Sequence, residues 1–255
     1  MCMADKKEKK YVSASDGSAV SKDEIKAAKV KEAAPVGSSA GLRAGAIIAW
    51  VFAIGFELLA FLVVSGKVDL KFIPQMAQLI IFIVLDLACL ILGSQLWKKA
   101  NHINPMSEKN KALFWLWNNM GVVVAALAFV PFIILLLTNK KIDKKLKVVG
   151  IAAAAVALII GGACSVDYNP VSAEQKAAAQ SAIEGTVFWA PFGHVYHTHD
   201  DCQALNQTET LTAGDVEQAI AANRTRLCSF CAKRDSITGV ATDEIPEEEL
   251  EAAEE

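Results

Sequence analysis

The residues of this chain best suited to chemistry are one histidine and three cysteines: His197-x4-Cys202, then 25 residues, then Cys228-x2-Cys231. Two cysteines separated by two residues form a knuckle that presents both sulfurs to one ion. A His/Cys pair on a hairpin supplies the other two corners of a tetrahedron. Three sulfurs and one nitrogen suit a closed, structural Zn2+ site. The surrounding residues, about 186–235, hold few large apolar side chains, and bound zinc would supply folding energy that so small a core lacks. The plainer reading is a small domain with unligated cysteines. His194, His197 and His199 all lie close to Cys202. In an extended strand His197 and His199 share a side and His194 faces the other, so His197 is the expected ligand and His199 its alternative.

A second set of chemically able residues sits in apolar surroundings. Glu57 and Asp86 are the only carboxylates inside the long apolar runs. An ionised carboxylate facing lipid costs ~2.5–3.5 kcal/mol on insertion scales. The two runs are consecutive and joined by a short loop, so the groups can meet as a shared proton site or a cation site, with Asn118 and Asn119 extending the cluster. The alternative is a protonated pair, or hydrogen bonds that only fix helix packing. No internal repeat of the kind found in transporters is visible. No G-x-S-x-G, Walker loop or H-E-x-x-H occurs, so no catalysis is expected.

These residues are positioned by a chain of 255 residues, 53% of them hydrophobic, with formal charge −3 and mean hydropathy +0.34. The apolar residues gather between 42 and 166 in runs longer than the ~18 residues that read as membrane spans, which excludes a soluble globular protein. Four spans are expected, at about 42–65, 72–97, 113–138 and 148–166, with Trp97, Trp115 and Trp117 near span ends as an aromatic belt. Asn118, Asn119 and Pro131 make a re-entrant third segment the alternative to a full crossing. Residues 1–41 are Lys-rich and polar, carry no signal-peptide pattern, and read as a disordered tail. Residues 167–185 read as an Ala/Gln-rich helical linker. In 186–235 the expectation is strands at Thr186–Ala190 and His194–His197, and a helix capped by Thr212 and Asp215 that runs to Ala222. Residues 236–255 read as an acidic tail.

The stretch VYHTHDDCQAL, an Ala-rich helix and RLCSFCAK resemble small zinc domains of the Ada metal-binding type. Those carry an aromatic-His followed by Cys, then C-x-x-C after a short helix. Ada-type repair uses four cysteines, one of which accepts a methyl group. Here His stands at the corresponding corner, so the resemblance implies a structural zinc role. The upstream segments SEKNKALFWLWNNMG and PFIILLLTNKKIDKKLK resemble uncharacterised multi-span membrane proteins of Gram-positive bacteria with such a C-terminal domain.

The expected fold class is therefore an α-helical membrane protein of about four transmembrane helices with a small C-terminal α+β zinc-binding domain. The expected function is non-enzymatic: a multi-pass protein of the cell membrane that displays a zinc-held module to a protein partner. The alternative is a small transporter, channel or sensor using Glu57 and Asp86. The slightly negative net charge argues against nucleic acid as a partner. The side of the membrane is left open by charge. Lys26, Lys29, Lys31 and Arg43 favour an inner N-terminus, whereas Lys140, Lys141, Lys144, Lys145 and Lys147 favour an inner start to the fourth span. The balance leans slightly toward a cytoplasmic zinc domain.

Overall fold

Where water is absent, an apolar run satisfies its backbone polar groups only by closing them into a helix, and the four runs do so. The computed structural model describes residues 9–27 and 37–243. In chain order these form strands β1 (Lys10–Ser13) and β2 (Ala19–Val20), then helices α1 (Lys22–Ala27), α2 (Ser39–Val64) and α3 (Gln75–Ile103). Helices α4 (Lys111–Asn118), α5 (Met120–Thr138), α6 (Lys144–Ser165) and α7 (Ala173–Ala182) follow. The remainder is β3 (Val187–Trp189), β4 (Val195–Tyr196), β5 (Thr210–Gly214), α8 (Val216–Ala221), β6 (Arg226–Leu227) and α9 (Ser229–Arg234). The chain divides into two units. One comprises Ser38–Asn101 and Asn110–Tyr168; the other draws on the residues before α2, the connector His102–Lys109 and the residues after α6.

In the helical unit α2, α3, α5 and α6 are long and apolar enough to cross a membrane. Close packing comes from small residues. Gly150, Ala154, Ala157, Gly161 and Ser165 form the buried stripe of α6. A Cβ on Gly161 would lie 2.7 Å from Leu90 Cδ2, and one on Gly150 3.0 Å from Leu136 Cδ1. Apolar side chains gain little by leaving lipid for protein, so contact between backbones is what such stripes supply.

Two sequence expectations change here. The second helix does not stop near 97 but continues to Ile103, because no helix breaker intervenes before Asn104-Pro105. The run 113–138 is not one helix: α4 ends at Asn118, and α5 begins at Met120 after Asn119 leaves helical geometry (φ −106°, ψ 27°). Helix α4 starts after Asn110, whose side chain accepts from Leu113 N at 3.1 Å. At the break Trp117 O accepts from Trp97 Nε1 at 2.8 Å and from Asn101 Nδ2 at 3.3 Å, and two asparagine amides bond back to the last turn of α4. Asn118 Nδ2 donates to Phe114 O at 3.0 Å and Asn119 Nδ2 to Trp115 O at 2.9 Å. Only Trp115 of the three expected belt residues is largely exposed. Trp97 is buried and packs against Trp117 with ring centres 5.0 Å apart, and the Arg43 guanidinium lies 5.9 and 5.5 Å from the two ring centres.

The second unit is built on a four-stranded sheet of order β2-β1-β5-β3 and a β4-β6 pair. β1 runs parallel to β5, with Tyr11 opposite Leu211, and β3 is antiparallel to β5. Residues 1–41 are therefore not disordered throughout: 10–13 are a sheet strand, and Tyr11 is buried against Phe188. The parts of that tail at 1–8 and 28–36, and the acidic residues 244–255, lie outside the described residues. Nor is 167–185 a free linker, since Val171, Ala179 and Ile183 belong to this unit's core. Residues 210–214 form β5, and the cap of α8 is Asp215, paired with Gln218 in a capping box. Thr212 is drawn into the strand by pairing partners on both sides.

The pairing of β1 with β5 constrains the crossings. β1 precedes all four membrane-length helices and β5 follows them, so a single sheet places both on one side of the bilayer and requires an even number of crossings. A re-entrant third segment would leave three. We expect reporters fused ahead of Lys10 and after Asp243 to be active on the same side, with one between α2 and α3 on the other. Opposite activity for the first two would be incompatible with the sheet.

The α3–α4 connector is tied to α7. Glu174 accepts hydrogen bonds from Ser107 Oγ and from Glu108 N, the latter at 3.1 Å. These bonds, the one from Ser107 first, hold the Glu174 carboxyl below its ordinary range. A lowered carboxyl contributes at pH values above its unfolded pKa and loses that contribution as pH falls through the folded one. Hydrogen exchange at Glu108 N should be protected at neutral pH, relative to the intrinsic rate at the same pH, and should lose that protection on acidification below the ordinary carboxylate range. The variant E174A should lack the protection at both.

Candidate metal centre

Four side chains from three short elements converge. His197 follows β4 and is held by a two-way backbone bridge to β3: Phe188 N donates to His197 O at 2.8 Å, and His197 N to Phe188 O at 2.7 Å. Cys202 precedes the short 3-10 turn Gln203–Leu205. Cys228 is the N-cap of α9, and its N–H donates to Tyr196 O at 2.9 Å. Cys231 lies in the first turn of α9, which brings it beside Cys228 as the C-x-x-C spacing anticipates.

All four residues are buried, and one donor atom from each lies within 4.8 Å of every other. Cys202 Sγ and Cys228 Sγ are 3.9 Å apart, and Cys231 Sγ and His197 Nδ1 3.8 Å. Tetrahedral coordination at a metal–sulfur distance of ~2.3 Å gives donor separations of ~3.8 Å. The arrangement therefore fits a single ion with Nδ1 as the imidazole donor. Backbone N–H groups of Ala204, Cys231 and His199 aim at the sulfurs of Cys202, Cys228 and Cys231 respectively, a pattern that favours thiolates.

Without an ion the thiols compete. Hydrogen bonds from Cys202, then from Cys228, hold the Cys231 thiol far below its ordinary range against the opposing effect of burial. The Cys228 thiol is pushed up, first by its hydrogen bond with Cys202 and then by that with Cys231 and by burial. A coordinated dication would favour the thiolate at each of the three sulfurs.

His199 is engaged elsewhere. Its Nε2 is 2.6 Å from Asp235 Oδ1, while Thr198 Oγ1 donates to Asp235 Oδ2 at 2.6 Å. Burial raises the Asp235 carboxyl, but the bonds to His199 and Thr198 outweigh it and hold the group below its ordinary range. Asp235 was not singled out from sequence, although it lies one helical turn past Cys231. Asp243, assigned to the acidic tail, accepts from Ser229 N at 2.6 Å at the start of α9. The N-terminal strand also reaches the ligand loop: Tyr11 OH donates to Asp200 Oδ2 at 2.6 Å, and Lys22 Nζ sits 2.5 Å from the same oxygen. A cavity of about 730 Å³ lies here, lined by Tyr11, Lys22, Asp200 and Asp201 among others.

Of the intramembrane residues expected to cluster, Glu57 and Asp86 lie near enough for their charges to interact. Asn118 and Asn119 do not join them. Asn101 Nδ2 donates to Asn118 Oδ1 at 3.3 Å and Asp167 N to Asn119 Oδ1 at 3.2 Å. Asn101 is 15 residues past Asp86 on α3, a helical distance of ~22 Å. Comparison with models of known protein families, with curated proteins and with solved structures gives no match. The Ada-type resemblance accordingly rests on the spacing and order of local elements alone.

With His199 paired to Asp235, His197→Ala should remove stoichiometric metal from the purified protein, while His199→Ala should retain one ion per chain. Elemental analysis measures this, and the visible absorption of a cobalt-loaded sample reports whether three thiolates remain bound.

Proposed function

We propose that this chain is a multi-pass protein of the cell membrane that displays a small module held together by structural zinc, with recognition of a protein partner as its role and no catalysis. The observation that carries the reading is the buried set of three sulfurs and one imidazole nitrogen, in which the protein itself supplies all four corners of a tetrahedron. A catalytic zinc keeps one position for water or substrate; a closed set holds a fold. Zinc is the metal that three thiolates and an imidazole suit best. Its binding is worth about 10–16 kcal/mol in zinc-finger peptides, a large contribution for elements as short as β4, β6 and α9.

The module offers a rigid point of contact. Phe192 is 97% exposed in the β3–β4 turn. Arg224 holds that turn by donating to Ala190 O at 3.0 Å and to Pro191 O. An exposed aromatic on an ordered turn is the kind of side chain that anchors protein interfaces. The cytoplasmic side is favoured by the basic residues before α2, because the β1–β5 pairing carries the C-terminal unit to wherever they reside.

Chelation of zinc from the full-length protein should collapse the C-terminal unit, seen as a change in emission of buried Trp189 and as protease cleavage within 186–235, and should leave membrane insertion unchanged. Site-specific crosslinking from position 192 in cells should trap a discrete partner in the wild type and none in Cys228→Ser. Turnover of any substrate by the zinc-loaded protein, lost on chelation, would overturn the non-catalytic reading.

A further inference from the structure

The helical unit carries a second site, independent of the metal centre. A Cβ on Gly93 would lie 2.5 Å from Trp50 Nε1, which sets Trp50 of α2 against Gly93 of α3. Seven residues along each helix toward their shared loop, two turns, bring Glu57 opposite Asp86. Asp86 has no exposed surface, and neither of its carboxyl oxygens has a hydrogen-bond partner; Glu57 Oε1 is likewise buried without one. Three buried carboxyl oxygens, on groups that this register sets opposite each other, therefore have no hydrogen-bond partner. Two facing acids in a bilayer cannot both remain ionised without a cation between them.

No basic side chain serves. On α2 the nearest is Arg43, 14 residues from Glu57, and on α3 it is Lys98, 12 residues from Asp86; these are ~21 and ~18 Å of helix. Helix α5 holds no charged residue. Helix α6 runs parallel to α3 with Gly150 against Leu79, Gly161 against Leu90 and Ser165 against Ser94. That register sets Ala157 level with Asp86, ten residues from Lys147. The other titratable groups on these helices are the thiols of Cys89 and Cys164, Lys99 and His102 at 13 and 16 residues from Asp86, and Lys144 and Lys145 at 13 and 12 residues from Ala157. Metal ions of the calcium type take six to eight oxygens, and three are on offer. A proton needs two.

The geometry points to Glu57 and Asp86 as an intramembrane proton-binding site, in which one proton is held between the two carboxyl groups. Such a site gives the helical unit the acid that a proton-linked membrane activity requires.

Infrared spectroscopy of the full-length protein in lipid tests this through the carbonyl stretch of a protonated carboxylic acid, identified by its shift in heavy water. The wild type should show this band at pH 7, where exposed carboxyls are ionised. Glu57→Gln and Asp86→Asn should each keep one band at an altered frequency, because the remaining acid exchanges a carboxyl partner for an amide. The double variant should lose it. Absence of the band at pH 7, its persistence in the double variant, or an unchanged frequency in the folded single variants would overturn the proposal. So would its loss when sodium or calcium chloride is added at pH 7, which would assign the site to a metal ion. If one single variant does not insert, the other decides. Zinc content should stay at that of the wild type throughout, which separates this site from the module.

Discussion

The C-terminal unit depends on one electrostatic constraint: three thiols and an imidazole are buried within 4.8 Å of one another. Four polar donors packed so closely away from water are unfavourable as a bare cluster, because each added thiolate repels the others. A coordinated dication reverses the sign of every pairwise term. The elements around the cluster are correspondingly slight. β4 and β6 have two residues each, the turn between Cys202 and Asn206 has three, and α9 has six. None would persist as an isolated piece. Each delivers a side chain of the cluster, α9 two of them, or the backbone group next to one.

The helical unit obeys a different solvent. Its packing relies on glycine, alanine and serine, and its polar groups are spent on one another. Ser165 Oγ donates to Ser94 Oγ at 2.8 Å, and Ser94 Oγ donates to Leu90 O at 2.8 Å. Gly121 belongs to the same point, since a Cβ there would lie 2.2 Å from Ser94 Oγ. The asparagines at the α4–α5 break follow the same logic, their side-chain amides bonding back to Phe114 O and Trp115 O in the last turn of α4. Trp50 Nε1 and Ser65 Oγ are buried without a hydrogen-bond partner, and so are the oxygens of Asp86 and Glu57 Oε1, the acidic groups of that set.

Much of this was legible from residues in order. The four apolar runs announce membrane-length helices because lipid admits few alternatives, and the ligand spacing announces the knuckle because coordination geometry restricts which residues share an ion. What could not be read is what tertiary pairing decides. The segment KYVS is a strand only because β5 lies beside it, and nothing in four residues of a Lys-rich stretch foretells a partner about 200 residues away. The helix break at Asn119 was visible as a polar interruption, but not as a break, since asparagine in a helix can equally bond outward. The choice of His197 over His199 turned on Asp235, which claims the second imidazole from across the fold.

The β1–β5 pairing also sets an order of events. Its two strands flank the whole membrane-length array, so the sheet closes only after the fourth helix has been placed and the chain has returned to the side where it began. Contacts of such sequence separation form late, because loop closure must precede any gain from them. The metal cluster, by contrast, lies within residues 197–231 and is local. An ion held there would order β4, β6 and α9 without waiting for the rest of the chain. Tyr11 ties that strand to the cluster loop by reaching Asp200, two residues before Cys202. The seat of the N-terminal strand on β5 is thus compatible only with an even number of crossings.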